Sequence, residues 1–272
     1  MPATPKPLRF ICIGAHPDDC EIGFGGAAVK LAAQGRAVKF LTVTNGDAGH
    51  HKRGGPELAS IRAEEMRESA RRLGIAASEA LPNHDGELLP SLEIRRQIVT
   101  RIRDWQADVV LTHRPVDYHP DHRYTAQLVQ DSAYLVLVPN ICPEIPPLER
   151  NPIYLYLEDS FERPVTFRPD VAVAIDDVWE RKIAAMDAHV SQFYEWLPWI
   201  DRELDRVPPD PARRPEWLSQ KWTRPVSPAA RETLIRRYGS KAGSEIRRAE
   251  SFELCEYGTR PSPEELNRIF PL

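Results

Sequence analysis

No run in this chain approaches the roughly 20 consecutive apolar residues that a helix needs to cross a bilayer. The opening residues, MPATPKPLRF, also lack the apolar core of a secretory signal. The expected setting is therefore the cytoplasm, with no membrane partner. Cysteine is scarce. Cys12, Cys20, Cys142 and Cys255 are scattered, with no CxxC pair, which fits free thiols in a reducing compartment better than a disulfide framework. Basic charge is not in excess: Lys and Arg total 36 against 40 Asp and Glu, a net charge of −4. No nucleic-acid partner is expected from that balance. The glycines of GFGG at 23–26 lack the GxGxxG order, which argues against a nicotinamide dinucleotide site. Internal repeats and low-complexity tracts are absent too.

What is present is a chain of 272 residues with 42% hydrophobic side chains, enough for one sizeable core. LRFICIGA at 8–15 and AVKFLTVT at 37–44 read as buried strands. DVVLTH at 108–113 reads as a third. Helical spacing falls between them, at 22–34, 57–73 (stopped by Gly74), 91–105 and 121–138. This alternation predicts an α/β fold, a Rossmann-like, mostly parallel sheet with helices on both faces. Further strands are expected at 153–157, 171–175 and 250–257, an amphipathic helix at 176–192 and another near 228–238. Residues 195–228 differ: prolines and tryptophans are dense, among them Trp196, Trp199, Trp217 and Trp222. Such a stretch is poor in regular structure. The chain is thus read as a single domain, 1–272, with a Pro/Trp-rich arm inserted at 195–228.

Two clusters carry chemistry. AHPDDCEIGFGG at 15–26 begins where the first strand ends, and open α/β sheets bind ligands beyond the carboxyl ends of their strands. His16, Asp18 and Asp19 therefore stand where an active site is expected, although Asp18 or Asp19 alone could be a helix cap. DYHPDHR at 117–123 repeats the arrangement beyond DVVLTH, with His119 and His122 three apart. Catalytic zinc takes three nitrogen or carboxylate ligands and leaves a position open. Together the two loops offer three ligands and spare acid–base groups.

The motifs His16-Pro17-Asp18-Asp19, followed by Glu21 and Gly25-Gly26, and His119-Pro120-Asp121-His122 make the chain resemble the LmbE-like, or PIG-L-like, family of zinc deacetylases. The resemblance spans roughly residues 8–193 and returns near 235–257, while 195–228 matches no family pattern. It implies removal of an acetyl group from an N-acetylated amino sugar or related small molecule, giving acetate and a free amine. It further implies Zn²⁺ on His16, Asp19 and His122, Asp18 as general base, and His119 as electrophilic helper with Asp121 beside it. It also implies a homo-oligomer, a trimer or hexamer. The chemistry is sound on its own terms: zinc polarises a carbonyl and acidifies water, a carboxylate shuttles the proton, and a protonated His119, favoured by Asp121, steadies the oxyanion.

Substrate contacts are expected from His51 and Arg53, whose loop GDAGHHKRGG follows the second strand, and from Asp85 and Tyr118. Each has a plainer alternative in loop exposure, turn formation or packing. His50 shares that loop, His113 ends the third strand with either support of the site or ordinary satisfied burial as its reading, and His189 is expected to pack or hydrogen-bond beneath the site. Arg62 and Glu65 have the spacing of an ordinary helix pair. The arm's tryptophans must be buried somewhere. They are expected at an oligomer contact bordering the pocket mouth, with packing on the arm's own subunit as the alternative. Two other functions remain open: a metal-dependent amidase acting on a larger conjugate, and a non-catalytic zinc-containing binding protein. Retention of Asp18 and His119, which metal binding alone does not need, speaks against the last.

Overall fold

A computed structural model describes residues 7–270 as a single α/β domain. In chain order the elements are β1 (Arg9–Gly14), α1 (Asp19–Ala33), β2 (Ala37–Thr44), α2 (Gly55–Leu73), β3 (Ala77–Asn83), α3 (Leu92–Asp104), β4 (Val109–Thr112) and α4 (Pro120–Leu135). Then follow β5 (Ile153–Leu157), β6 (Val171–Ala174), α5 (Trp179–Asp187), α6 (Leu197–Ile200), α7 (Arg214–Trp222), α8 (Pro228–Tyr238), α9 (Ser240–Glu245), β7 (Ala249–Leu254) and α10 (Pro263–Ile269).

The sheet has seven strands in the order β3-β2-β1-β4-β5-β7-β6. The first five are parallel, and β7 runs antiparallel to both β5 and β6. Alternate residues of a strand face opposite sides of its sheet. Accordingly Phe10 and Cys12 of β1 enter one core layer with Phe24 of α1 and Ile183 of α5. Ile11 and Ile13 enter the other with Ile102 of α3 and Leu128 of α4. A strand buried on both faces reads as a continuous apolar run, which is why RFICIG was legible. Chain order reverses between β1 and β4: β2 and β3 follow on one side, β5 on the other. The loops leaving these two neighbours part there and open the crevice expected at such a switch point.

The sequence reading needs four corrections. β3 was not expected, so DVVLTH is the fourth strand. Its sequence, ASEALPN, is polar and contains Pro82, which an edge strand tolerates. The helix expected at 176–192 is broken into a 3₁₀ turn at 176–178, α5, and a π-helical turn over Ser191–Trp196. The segment 195–228 holds two α-helices, because Pro198 and Pro215 sit in their first turns, where a missing N–H does no harm. The C-terminal helices α9 and α10 were also missed.

Within 195–228, α7 packs back on its own chain. The Trp222 ring meets Phe193 at 5.1 Å, Trp217 lies 6.0 Å from Tyr194, and Trp179 Nε1 donates to Ser219 Oγ at 2.8 Å. Trp196 and Trp199 instead stack on each other at 5.5 Å beside the loop after β2. At the other end, α10 opens with a capping box formed by Ser262 and Glu265. It delivers Phe270 onto Phe252 at 5.2 Å and Phe10 at 5.9 Å. Phe270→Ala should therefore lower unfolding stability by about 3–5 kcal/mol in a urea titration. An unchanged midpoint would show that α10 is not part of the core.

Candidate metal centre and active site

The loop after β1 is built under strain. Asp18 has φ 142°, a conformation that side chains avoid. Its position is that of the cap of α1, yet its carboxylate makes no capping bond. Asp19 instead turns back on the loop: its Oδ2 accepts from Ala15 N at 2.9 Å and His16 N at 2.7 Å. The cap alternative thus fails for Asp18, which is left buried with Gln192 as its side-chain hydrogen-bond partner. The loop after β4 closes over it from the neighbouring strand. His119 caps α4 through its ring, its Nδ1 accepting from Asp121 N at 3.2 Å.

Three donors converge between the loops. His16 Nδ1 lies 3.1 Å from His122 Nε2 and 3.6 Å from Asp19 Oδ2, and Asp19 Oδ1 lies 3.5 Å from His122 Nε2. Ligands at about 2.0–2.1 Å around a tetrahedral zinc stand about 3.3 Å apart, so the spacing fits one small cation. The far nitrogens are held by carboxylates, as metal-bound imidazoles require. His16 Nε2 lies 3.1 Å from Asp85 Oδ1 and 3.3 Å from Asp121 Oδ2, and His122 Nδ1 lies 3.1 Å from Asp117 Oδ2. Adjacent donors extend the cluster. His113 Nε2 is 3.1 Å from Asp19 Oδ2, and its ring stacks on His122 at 4.1 Å. The sets His16–His119–His122, Asp19–His113–His122 and His16–Asp85–Asp121 also have metal-binding spacing.

Charge in this pocket is held far from its ordinary state. Burial works against a charged His16, but Asp121, Asp19 and Asp85 outweigh it and hold its pKa well above the usual value. Burial likewise pushes Asp19 up, but His122, His113 and His16 bring it well below. Asp18 goes the other way. Burial and the charge of Asp19 raise it to about 7, against the partial relief given by His189, Arg62 and Gln192. A carboxyl poised near neutrality is suited to taking up and releasing a proton.

Behind Asp18 lies a buried polar layer. His189, fully buried, has Nε2 3.1 Å from Glu21 Oε1, which also accepts from Ser69 Oγ at 2.7 Å. Arg62 does not pair with Glu65. Its guanidinium donates to Gly49 O and Gln192 Oε1 and lies 3.8 Å from Asp85, while Glu65 accepts from the N–H and hydroxyl of Ser191. Gln192 comes from the π-helical turn, a distortion that recurs at functional sites. Glu21, Gln192, Asp117 and His113 all belong to this centre; only for His113 did the sequence suggest a supporting role, as one of two readings. Asp117 could have been found, since it stands in the same DYHPDH string as four expected site residues, Tyr118, His119, Asp121 and His122.

The remaining expected residues fall in two places. Asp85 enters the centre: its Oδ2 accepts from Gly49 N at 2.9 Å, and His16, together with Arg62, offsets burial to bring its pKa to about 2. The carboxylate of Asp121 points to His16 Nε2 and to Gly86 N, at 2.7 Å, rather than to His119. Tyr118 stands at the mouth, 75% exposed, with its ring 5.8 Å from His119 and 5.9 Å from His122. His51 and Arg53 lie toward the arm. The His51 ring stacks on Trp199 at 5.1 Å, Arg53 is 3.6 Å from Glu195, and His50 Nε2 is 2.9 Å from that same carboxylate.

A three-donor cation cradle beside a buried, neutral-poised carboxyl, at the switch point of a parallel sheet, is the kind of centre that a metal-dependent hydrolase uses. The chain belongs to the PIG-L family. Residues 11–133 match the family model described as PIG-L, GlcNAc-PI de-N-acetylase. The diacetylchitobiose deacetylase of Thermococcus kodakarensis is 36% identical over 206 residues, covering 71% of this chain and 74% of that protein. The solved N,N′-diacetylchitobiose deacetylase of Pyrococcus horikoshii superposes with a TM-score of 0.68 at 30% identity, covering 92% of this chain and 84% of the other. A protein named 4-oxalmesaconate hydratase from Pseudomonas putida is 25% identical over 211 residues, covering 75% of this chain and 81% of that protein. Among the described residues no helix is long and apolar enough to cross a membrane.

Arg62 is the tie between α2, the loop after β2, the Asp85 turn and the π-helical turn. Replacing it by Leu leaves the carboxylates of Asp18 and Asp85 buried beside a missing cation. Arg62→Leu should lower unfolding stability by about 3–5 kcal/mol in denaturant. A change within 0.5 kcal/mol, the range of ordinary surface substitutions, would mean that the guanidinium carries no such structural load.

Proposed function

We propose that this chain is a zinc-dependent N-deacetylase that hydrolyses the acetamide of a 2-acetamido sugar, releasing acetate and the free amine. The observation that carries the proposal is the pairing of a buried carboxyl without a capping role, Asp18, with the His16–Asp19–His122 cradle one residue away. The names of the Thermococcus kodakarensis and Pyrococcus horikoshii relatives support the sugar acetamide as substrate class. Among the possible ligand sets, His16–Asp19–His122 is favoured because the other atoms of its members are already tied to backbone or to carboxylates. Asp19 Oδ1 is left to face the donor nitrogen of His122, while Oδ2 lies 3.6 Å from His16 Nδ1.

Zinc bound there would supply a Lewis acid that polarises the amide carbonyl and acidifies water. Asp18 takes the proton from the attacking water and passes it to the departing nitrogen. His119 donates to the oxyanion. Its Nδ1 accepts a backbone hydrogen bond, so the neutral ring carries its proton on Nε2 and is a donor without extra charge. That matters because burial and the neighbouring His16 and His122 lower its pKa, in spite of Asp121. Asp117, Asp121 and Asp85 keep the imidazoles oriented. Tyr118, and more remotely His51 and Arg53, would frame the sugar at the mouth.

The same reading includes a homo-oligomer, supported by the exposed apolar side chains Ile200 and Leu204 of the arm. It also includes a cytoplasmic setting, supported by four buried, unpaired cysteines. Asp18→Asn should keep its zinc by elemental analysis and lose about 10²–10⁴-fold in acetate release. His122→Ala should lose zinc and activity together. Near wild-type turnover in Asp18→Asn would remove the assigned base. Full zinc occupancy in His122→Ala would remove the assigned ligand set.

A further inference from the structure

A second cavity, of about 650 Å³, opens on the same edge of the sheet as the metal centre. Its size lies within the roughly 300–1,000 Å³ typical of small-molecule sites. Its walls start where β5 and β6 end and where the antiparallel β7 begins, and these three positions share the edge on which the motif loops stand. The first turns of α1 form one side, and the segment from Trp222 into α8 forms another.

The charged groups at its floor are already spent. Lys182 Nζ donates to Ile22 O and to Glu250 Oε1, both at 2.7 Å, and Glu250 also accepts from Gly26 N and Ala27 N. Glu158 accepts from the hydroxyls of Ser227 and Ser251 and has no cation partner. Other groups are not spent. Arg224 lies over the Trp222 ring at 5.6 Å, and among the described residues it makes no ion pair. Arg248 lies over Trp179 at 4.8 Å and pairs with Asp176 through Nη1 at 3.4 Å, which leaves only its buried Nε without a hydrogen-bond partner. Phe161 and Phe167 add two more rings. Guanidinium donors, carboxylate acceptors and aromatic faces in one cleft, with neither sign of charge dominating the lining, match a neutral polyhydroxy ring. Its C–H faces stack on aromatics while its hydroxyls both give and accept hydrogen bonds. Continuity with the metal centre runs through two rings: Phe161 is 6.4 Å from Tyr118, and Tyr118 is 5.9 Å from His122.

We propose that this cavity is a sugar subsite that takes the part of a glycoside substrate beyond the ring bearing the acetamide, reached across Tyr118 and Phe161. The inference rests on the N-deacetylase reading for its substrate, but its test has an arm that does not. In the first arm, acetate release from the zinc-loaded full chain is compared for N-acetylglucosamine and its β-1,4-linked trimer. The trimer should be favoured in kcat/KM. Phe161→Ala and Arg224→Ala should each reduce the trimer-to-monomer ratio about tenfold, the loss falling on KM, as removal of uniform binding requires. In the second arm, the deacetylated glucosamine trimer is titrated while tryptophan fluorescence is followed. The wild-type signal should saturate, and Arg224→Ala should weaken binding about tenfold, with folding checked by thermal melts. An unchanged ratio in both folded variants, or no saturable fluorescence change, overturns the subsite. Acetate from neither sugar, with saturable binding that Arg224→Ala weakens, overturns the deacetylase reading and leaves the subsite standing.

Discussion

The centre depends on how Asp19 spends its two oxygens. One is bound by the backbone N–H groups of Ala15 and His16, which folds the loop after β1 back on itself. The other is thereby fixed toward His122 on the neighbouring loop. This turn forces Asp18 into a strained backbone conformation, φ 142°, and leaves its carboxyl buried without a capping role. The roles proposed for these neighbours, ligand for Asp19 and base for Asp18, need two carboxylates from adjacent residues aimed at one crevice, which a regular helix start does not provide. The strain at Asp18 separates them.

A strained loop with several buried charges is stable only if its surroundings are satisfied. The layer of Glu21, Ser69, His189, Arg62 and Gln192 does this from behind, drawing on α1, α2 and the segment after α5. The π-helical turn at Ser191–Trp196 brings Gln192 to Arg62 and Ser191 to Glu65. The chemistry of two short motifs therefore depends on a third region, far along the chain, at the end of the span that resembles the family.

This explains what the sequence disclosed and what it did not. The parallel strands were legible because both faces are buried, as in RFICIG and AVKFLTVT. The two His-Pro-Asp loops were legible because each immediately follows such a strand. β3 was not, since an edge strand with Pro82 and alternating polar residues has no apolar run. Arg62 was read as the partner of Glu65 because their spacing allows it, whereas burial sends each to a different loop. Prolines in 195–228 suggested irregular chain, yet Pro198 and Pro215 begin helices. The long-range pairing of Glu21 with His189 was beyond reach, because which polar groups meet in a core is set by packing and not by local pattern.

Hydration of a carbon–carbon double bond and hydrolysis of an amide can both use a metal cation and a nearby base, and a protein named as a hydratase is 25% identical to this chain over 211 residues. The central claim is therefore best tested by titrating zinc into metal-stripped protein while measuring acetate released from an N-acetylglucosamine oligomer. The account predicts no release without metal and a rise that saturates at one equivalent of zinc per chain. Release that persists in chelator, or none at any zinc concentration, would contradict it.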